Sequence, residues 1–327
     1  MQDSIRVGDE NECLYTAFGR VIASDLPLPF LTPVSSGEAS IVVRESPSSI
    51  ATDGGDRVHE LAWPDGRPIY RLEKGEDGYV WSCPTAACFR LRRDGRLIEW
   101  EAAGNRPADI ANLISGPCLG FALQLQGQTC LHGSAVVGDD GAIGFLAPSG
   151  YGKSSLAAAL VKRGFAFLTD DVLGLDLRGG AIFALPSYPR LKLWPDGLDQ
   201  YAGADGWEDL PLHVSWVDKR VLPAEDLGAT CSEAAPIRCL FLLQPVAAAA
   251  ACSVEELRGS DSLMGLVAHG YNAQLLAREP EILAAQLETF RIVVEKTPVY
   301  RLSVPRDLRR LDEAIDVVLA AVGGSRS

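Results

Sequence analysis

Gly150, Gly152, Lys153 and Ser154 stand at fixed spacing in the run Ala147-Pro148-Ser149-Gly150-Tyr151-Gly152-Lys153-Ser154-Ser155. Glycines followed by Lys-Ser suit the binding of phosphate. Successive backbone N–H groups curl round phosphate oxygens, and the following helix adds the partial positive charge of its N-terminus. In that chemistry Lys153 reaches the β- and γ-phosphates, and the Ser154 hydroxyl serves Mg²⁺. Ser149, Tyr151 and Ser155 complete the expected nucleotide-contacting stretch. Ala147 occupies the place of the motif's first glycine, so the loop must enter with ordinary dihedrals. The alternative is a plain strand-to-helix turn with incidental glycines.

A second chemical pair, Asp170-Asp171, closes the apolar run Ala166-Phe167-Leu168. Acids at the C-terminal end of a strand lie where open α/β sheets hold their ligands. Adjacent side chains diverge, so one acid can face a metal while the other faces the group that accepts phosphate. Farther on, Arg190 and Lys192 alternate with Leu191 and Leu193. They form either one cationic face turned toward a phosphate or a solvated edge strand. Asp218-Lys219-Arg220 is either a second basic contact or, more simply, a surface turn. His269 sits in a helical pattern as a structural residue.

These side chains need a scaffold, and the flanks supply one. Ala142–Leu146 is apolar and short enough for a buried strand, and Ser155–Leu160 is Ala/Leu-rich and helical, ending near Arg163 with Gly164 beyond it. Leu131–Val137 precedes a turn at Gly138-Asp139-Asp140-Gly141, which makes the strand before the loop half of a hairpin and the sheet mixed. The pattern predicts an α/β fold in two parts: a β-rich domain over 1–105 and a loop-bearing domain over 106–327. In the first, Tyr15–Ile22, Ala39–Arg44 and Tyr79–Ser82 read as strands, Cys88–Arg92 and Leu97–Trp100 as a hairpin, and Pro47–Gly66 as surface loop. In the second, a helical pattern from Asp109 restarts at Pro117. Cys239–Leu243 and Val299–Val304 read as strands, and helices follow Asp261 (through Leu275) and Asp307 (through Val322).

Composition narrows the classes. The 327 residues are 47% apolar, as in a globular protein, and no run approaches the roughly 20 apolar residues of a membrane span. A net charge of −13, from 30 basic and 43 acidic residues, argues against a general nucleic-acid binder. The eight cysteines form no C-x-x-C pair, and the first residues carry no apolar segment behind a basic start. Reduced thiols, a cytoplasmic location and no membrane partner are expected.

The order Leu131-His132-Gly133, then Ser149–Ser154, then Thr169-Asp170-Asp171-Val172 resembles the catalytic core of the bacterial HPr kinase/phosphorylases. Their fold is related to PEP carboxykinase. Phe18-Gly19 to Leu28-Pro29, Tyr188–Pro195, Asp218-Lys219-Arg220 and Tyr300-Arg301-Leu302 are closer to HPr-kinase-like proteins of lasso-peptide biosynthesis, which phosphorylate a precursor-peptide serine, typically C-terminal. The resemblance implies an ATP- and Mg²⁺-dependent serine kinase with a peptide or protein substrate. It implies that Asp170 accepts the hydroxyl proton with His132 beside it, that Asp171 and Ser154 handle Mg²⁺, and that Lys153 holds the phosphates. Arg190, Lys192, Lys219 and Arg220 would meet the substrate. The Glu-Ile-Arg-Gly segment of the HPr kinases is matched only by Tyr188-Pro189-Arg190. Its glutamate has no counterpart, and with it goes the support for a reverse, phosphorolytic activity. A small-molecule phosphotransferase and a nucleotide-binding regulator are the competing readings. A homo-oligomer is compatible with the chain, since peptide docking, dimerisation and simple scaffolding all fit the first domain.

Overall fold

A computed structural model describes residues 12–52, 54–201, 207–273 and 278–323. The chain forms two compact units, Met1–Gln128 with Gln274–Leu283, and Thr129–Ala273 with Ala284–Ser327. The helical segment that begins near Asp109, within the expected 106–327 domain, falls in the first of these units.

The first unit carries a nine-stranded sheet in the order β3-β1-β2-β4-β9-β8-β7-β6-β5. Its strands are β1 (Cys13–Ala17), β2 (Arg20–Ser24), β3 (Thr32–Pro33), β4 (Ile41–Glu45), β5 (Asp56–Ala62), β6 (Pro68–Lys74), β7 (Gly78–Cys83), β8 (Ala87–Arg92) and β9 (Leu97–Ala102). The run expected as one strand over Tyr15–Ile22 is instead the hairpin β1–β2. Phe18 and Gly19 both adopt positive φ, 54° and 69°, which makes the tight turn that matches strand twist. The expected loop Pro47–Gly66 contains β5, an edge strand with no buried residue. Its polar composition follows from that exposure. The helical segment breaks as the sequence suggests, but without a gap. α1 (Pro107–Leu113) passes through a π-turn at Ile114–Cys118, which accommodates Pro117, into α2 (Leu119–Leu125).

The second unit is built on β10 (Thr129–Gly138), β11 (Gly141–Leu146), β12 (Ala166–Thr169), β13 (Val172–Arg178), β14 (Ala181–Ala184), β18 (Ala235–Val246), β19 (Ser253–Leu257) and β20 (Val299–Pro305). β10 and β11 form the antiparallel hairpin, while β11–β18 and β18–β20 run parallel, so the sheet is mixed. A small sheet of β15 (Arg190–Leu193), β16 (Leu212–Val214) and β17 (Val217–Pro223) stands apart from it.

The strands next to the glycine loop are buried on both faces and therefore read as unbroken apolar runs. Phe145 and Phe241 join the core with Leu156 and Leu160 of α3 (Lys153–Lys162) and with Leu311, Ile315 and Val318 of the closing helix Leu311–Gly323. Leu146, Leu240 and Leu242 point the other way, against Leu266 of the helix Ser260–Ala268 and Phe290 and Val293 of the helix Pro280–Lys296. The helix expected after Asp261 ends at Ala268, and Leu275, to which its pattern was drawn, lies outside the described residues. No helix among the described residues is long and apolar enough to cross a membrane.

Candidate active site

β11 delivers the chain into the loop. Ala147 keeps an ordinary φ, and the positive angles fall on Gly150 (82°) and Gly152 (92°), where no Cβ is present to clash. Gly152 turns directly into α3, whose N-terminus faces an open cleft. Ser149, Gly150, Gly152, Lys153, Ser154 and Ser155 line that cleft, whereas Tyr151 faces an adjoining pocket.

The acids enter from the other side. β12 and β13 both pair antiparallel with β10, β12 against Ala135–Val137 and β13 against Thr129–His132. They are in effect one strand interrupted by Asp170-Asp171, opposite Gly133-Ser134. Asp171 adopts φ 75°, an uncommon value for a residue with a side chain, and this kink sends the two carboxylates apart.

Asp170 is buried at 2% exposure. It accepts hydrogen bonds from Ser134 Oγ, from Ser154 Oγ at 2.8 and 3.1 Å to its two oxygens, and from the Lys192 backbone N–H at 3.0 Å. Asp171 Oδ2 accepts from Lys192 Nζ at 3.0 Å, and its Oδ1 lies 3.4 Å from His132 Nδ1. Ser154 is thus coupled to Asp170, whereas the carboxylate of Asp171, which the resemblance joins with Ser154 in handling Mg²⁺, meets Lys192 and His132. Burial favours the neutral acid, but Lys192 and then His132 outweigh it and hold Asp171 well below the usual carboxylate range. The same pairing with Asp171 holds Lys192 above the ordinary lysine value against the pull of burial.

His132 links the two halves. Nδ1 lies 3.1 Å from the Asp171 carbonyl, and Nε2 lies 3.1 Å from Lys153 Nζ. Burial depresses the imidazole despite Asp171, so the neutral ring donates from Nδ1 and accepts at Nε2. Its backbone N–H donates to His269 O at 2.8 Å, which gives His269 its structural task. Lys153 Nζ also donates to Ala147 O (2.7 Å) and Pro148 O (3.1 Å), folding back over its own loop. Burial pushes its amine down to about 8.

The four basic residues expected at the substrate separate. Lys192 lies in the cleft but spends its charge on Asp171. Lys219 lines the cleft, 3.5 Å from Ser149 Oγ and over the Trp194 ring. Arg190 turns away to Glu225 at 2.7 Å. Arg220 is fixed to the carbonyls of Glu208 (2.7 Å) and Leu210 (2.8 Å). Neither arginine lines the cleft: Arg190 is held by Glu225 and the Pro189 carbonyl, and Arg220 by its two carbonyls. Ser134 escaped the sequence reading. Its signal was the strand beginning at Leu131, in which it follows His132 by two positions.

No protein-family model matches the chain, and no curated protein matches it. Among solved structures, the HPr(Ser) kinase/phosphatase from Coxiella burnetii is similar, at 12% identity and a TM-score of 0.32, over 61% of this chain and 99% of that one.

Proposed function

We propose that the chain is an ATP- and Mg²⁺-dependent kinase that transfers the γ-phosphoryl group to a serine hydroxyl of a peptide or protein. The C-terminal serine of a lasso-peptide precursor is the acceptor this reading names. The observation that carries it is the placement of two consecutive acids in one cleft, one on the loop serine and the other on Lys192 and His132, the latter meeting the loop lysine.

Ser154 and Asp170 offer hard oxygen donors, which fit Mg²⁺. Among the described residues no group of three His, Cys, Asp or Glu could hold a metal. Mg²⁺ characteristically takes one or two carboxylates and leaves its other positions to phosphate and water. When bound, it would neutralise charge on the β- and γ-phosphates. The amides of 149–154 would cradle the phosphates, and Lys153 would exchange its loop carbonyls for phosphate oxygens. Asp171, held ionised, would accept a hydrogen bond from the serine hydroxyl. The serine oxygen then bonds to the γ-phosphorus, the bond from that phosphorus to the bridging oxygen breaks, ADP leaves, and the hydroxyl proton passes to Asp171. An acid of low pKa is a weak base, but a loose phosphoryl transition state asks chiefly for orientation. These roles for Asp170 and Asp171 are the reverse of those the resemblance implies.

Incubation with radiolabelled ATP and a peptide ending in serine tests the reading. Label on that serine is expected, and release of free phosphate with no labelled peptide would count against it. Lys219, at the cleft beside Trp194, would suit the anionic group of a metabolite as well as a peptide carboxylate. A product mass in the metabolite range would favour that second reading.

A further inference from the structure

The pocket that Tyr151 faces is separate from the phosphate cleft yet continuous with it. Gly150, Gly152, Asp196 and Leu308 line both. It lies outside the carboxyl ends of three parallel neighbours: β11 through the glycine loop, β18 through Leu243-Gln244-Pro245, and β20 through Val304–Arg306. Carboxyl ends of parallel strands are where open α/β sheets bind ligands. About 830 Å³ of empty space, counted out to open solvent, is available there.

From this geometry we infer that the pocket takes the base and ribose of the nucleotide, an assignment that rests on the nucleotide reading above. The Arg306 guanidinium lies over the Tyr151 ring, 4.6 Å from its centroid. Tyr151 is anchored because it packs against the core around Leu156 and Leu311. A ring and a guanidinium in one stack give a planar heterocycle a surface on which to lie, and both attract its π system. Pro245, Leu156 and Leu308 supply apolar walls. Asp196 stands at the junction with the phosphate cleft, where ribose hydroxyls would fall. Its Oδ1 accepts from the Gly197 N–H at 3.0 Å. A base in this pocket places the triphosphate across Gly150–Gly152, with its terminal end toward Lys153 and Ser154.

Calorimetric titration of the full chain with Mg-ATP and, separately, with magnesium tripolyphosphate isolates the base from the phosphates. Arg306→Ala, at an exposed position, and Tyr151→Leu should each weaken Mg-ATP by about tenfold while leaving tripolyphosphate within about twofold. Lys153→Ala should weaken both ligands. If Arg306→Ala and Tyr151→Leu shift the two ligands equally, or shift neither, the pocket is not the base site, although the phosphate reading stands. If the unaltered chain binds neither ligand, the nucleotide reading falls and the pocket assignment falls with it.

Discussion

Asp170 and Asp171 are consecutive in sequence and line one cleft with different side-chain partners: Asp170 meets Ser154 at 2.8 Å, and Asp171 meets Lys192 at 3.0 Å. The left-handed backbone at Asp171 makes this divergence, and Lys192 holds it by donating its N–H to one acid and its amine to the other. A substitution at either acid should therefore be felt by a different partner.

Lys192→Met removes the cation that keeps Asp171 ionised. The Asp171 pKa should climb back toward the carboxylate range, so transfer in the variant should fade as pH falls toward that range while the unaltered chain holds its rate. A pH profile of phosphoryl transfer checks this. Breaking a fully buried pair costs roughly 3–5 kcal/mol. The 27% exposure of the Asp171 side chain reduces the expected loss to about 2 kcal/mol in denaturant unfolding.

Lys153, with its amine pushed down to about 8, predicts a pH-dependent affinity for ATP. Phosphate favours the charged amine, so binding is fully supported below pH 8 and weakens as pH rises through it. The affinity should fall by up to about tenfold per pH unit above that point, and Lys153→Ala should abolish the dependence. Calorimetry between pH 6.5 and about 9.5 measures it.

Arg190→Ala and Arg220→Ala should leave the transfer rate within about twofold, because both side chains are committed outside the cleft. Arg220→Ala should still lower stability by about 1–3 kcal/mol, since two carbonyls lose their donor. Steady-state kinetics alongside thermal unfolding separates the two effects.

Burial depresses His269 to about 4 from an ordinary 6.5, and it depresses His213 well below that ordinary value. Both favour the neutral ring in the folded state. Their contribution to stability is full above pH 6.5 and is lost as pH falls from there toward 4, where the unfolded chain takes up protons that the native chain refuses. The melting temperature should fall across that window, and His269→Gln, which keeps the carbonyl that receives the His132 N–H, should flatten the fall.

The shape of the glycine loop was legible because its signals are local. Gly150, Gly152, Lys153 and Ser154 fall on one turn between a strand and a helix, and the flanking runs show their strand and helix periods directly. The acid pair was legible as a pair, but its division was not, since the φ of Asp171 is set by pairing with β10 and leaves no mark in composition. Arg190 and Lys192 look equivalent as alternating cations on one strand face; only their tertiary neighbours separate a residue that clamps two aspartates from one that meets Glu225. The hairpin at Phe18-Gly19 was hidden for a related reason. An aromatic residue at positive φ breaks the usual turn signature, and no Asn-Gly or Asp-Gly pair marks the turn.

Equilibrium binding of ATP, with and without Mg²⁺, to the unaltered chain and to Asp170→Asn and Asp171→Asn tests the central claim most directly. The account predicts Mg²⁺-dependent binding that Asp170→Asn loses and Asp171→Asn retains, with transfer in Asp171→Asn down by about a hundredfold or more. Absence of ATP binding by the unaltered chain, or loss of the Mg²⁺ dependence in Asp171→Asn rather than Asp170→Asn, would contradict it.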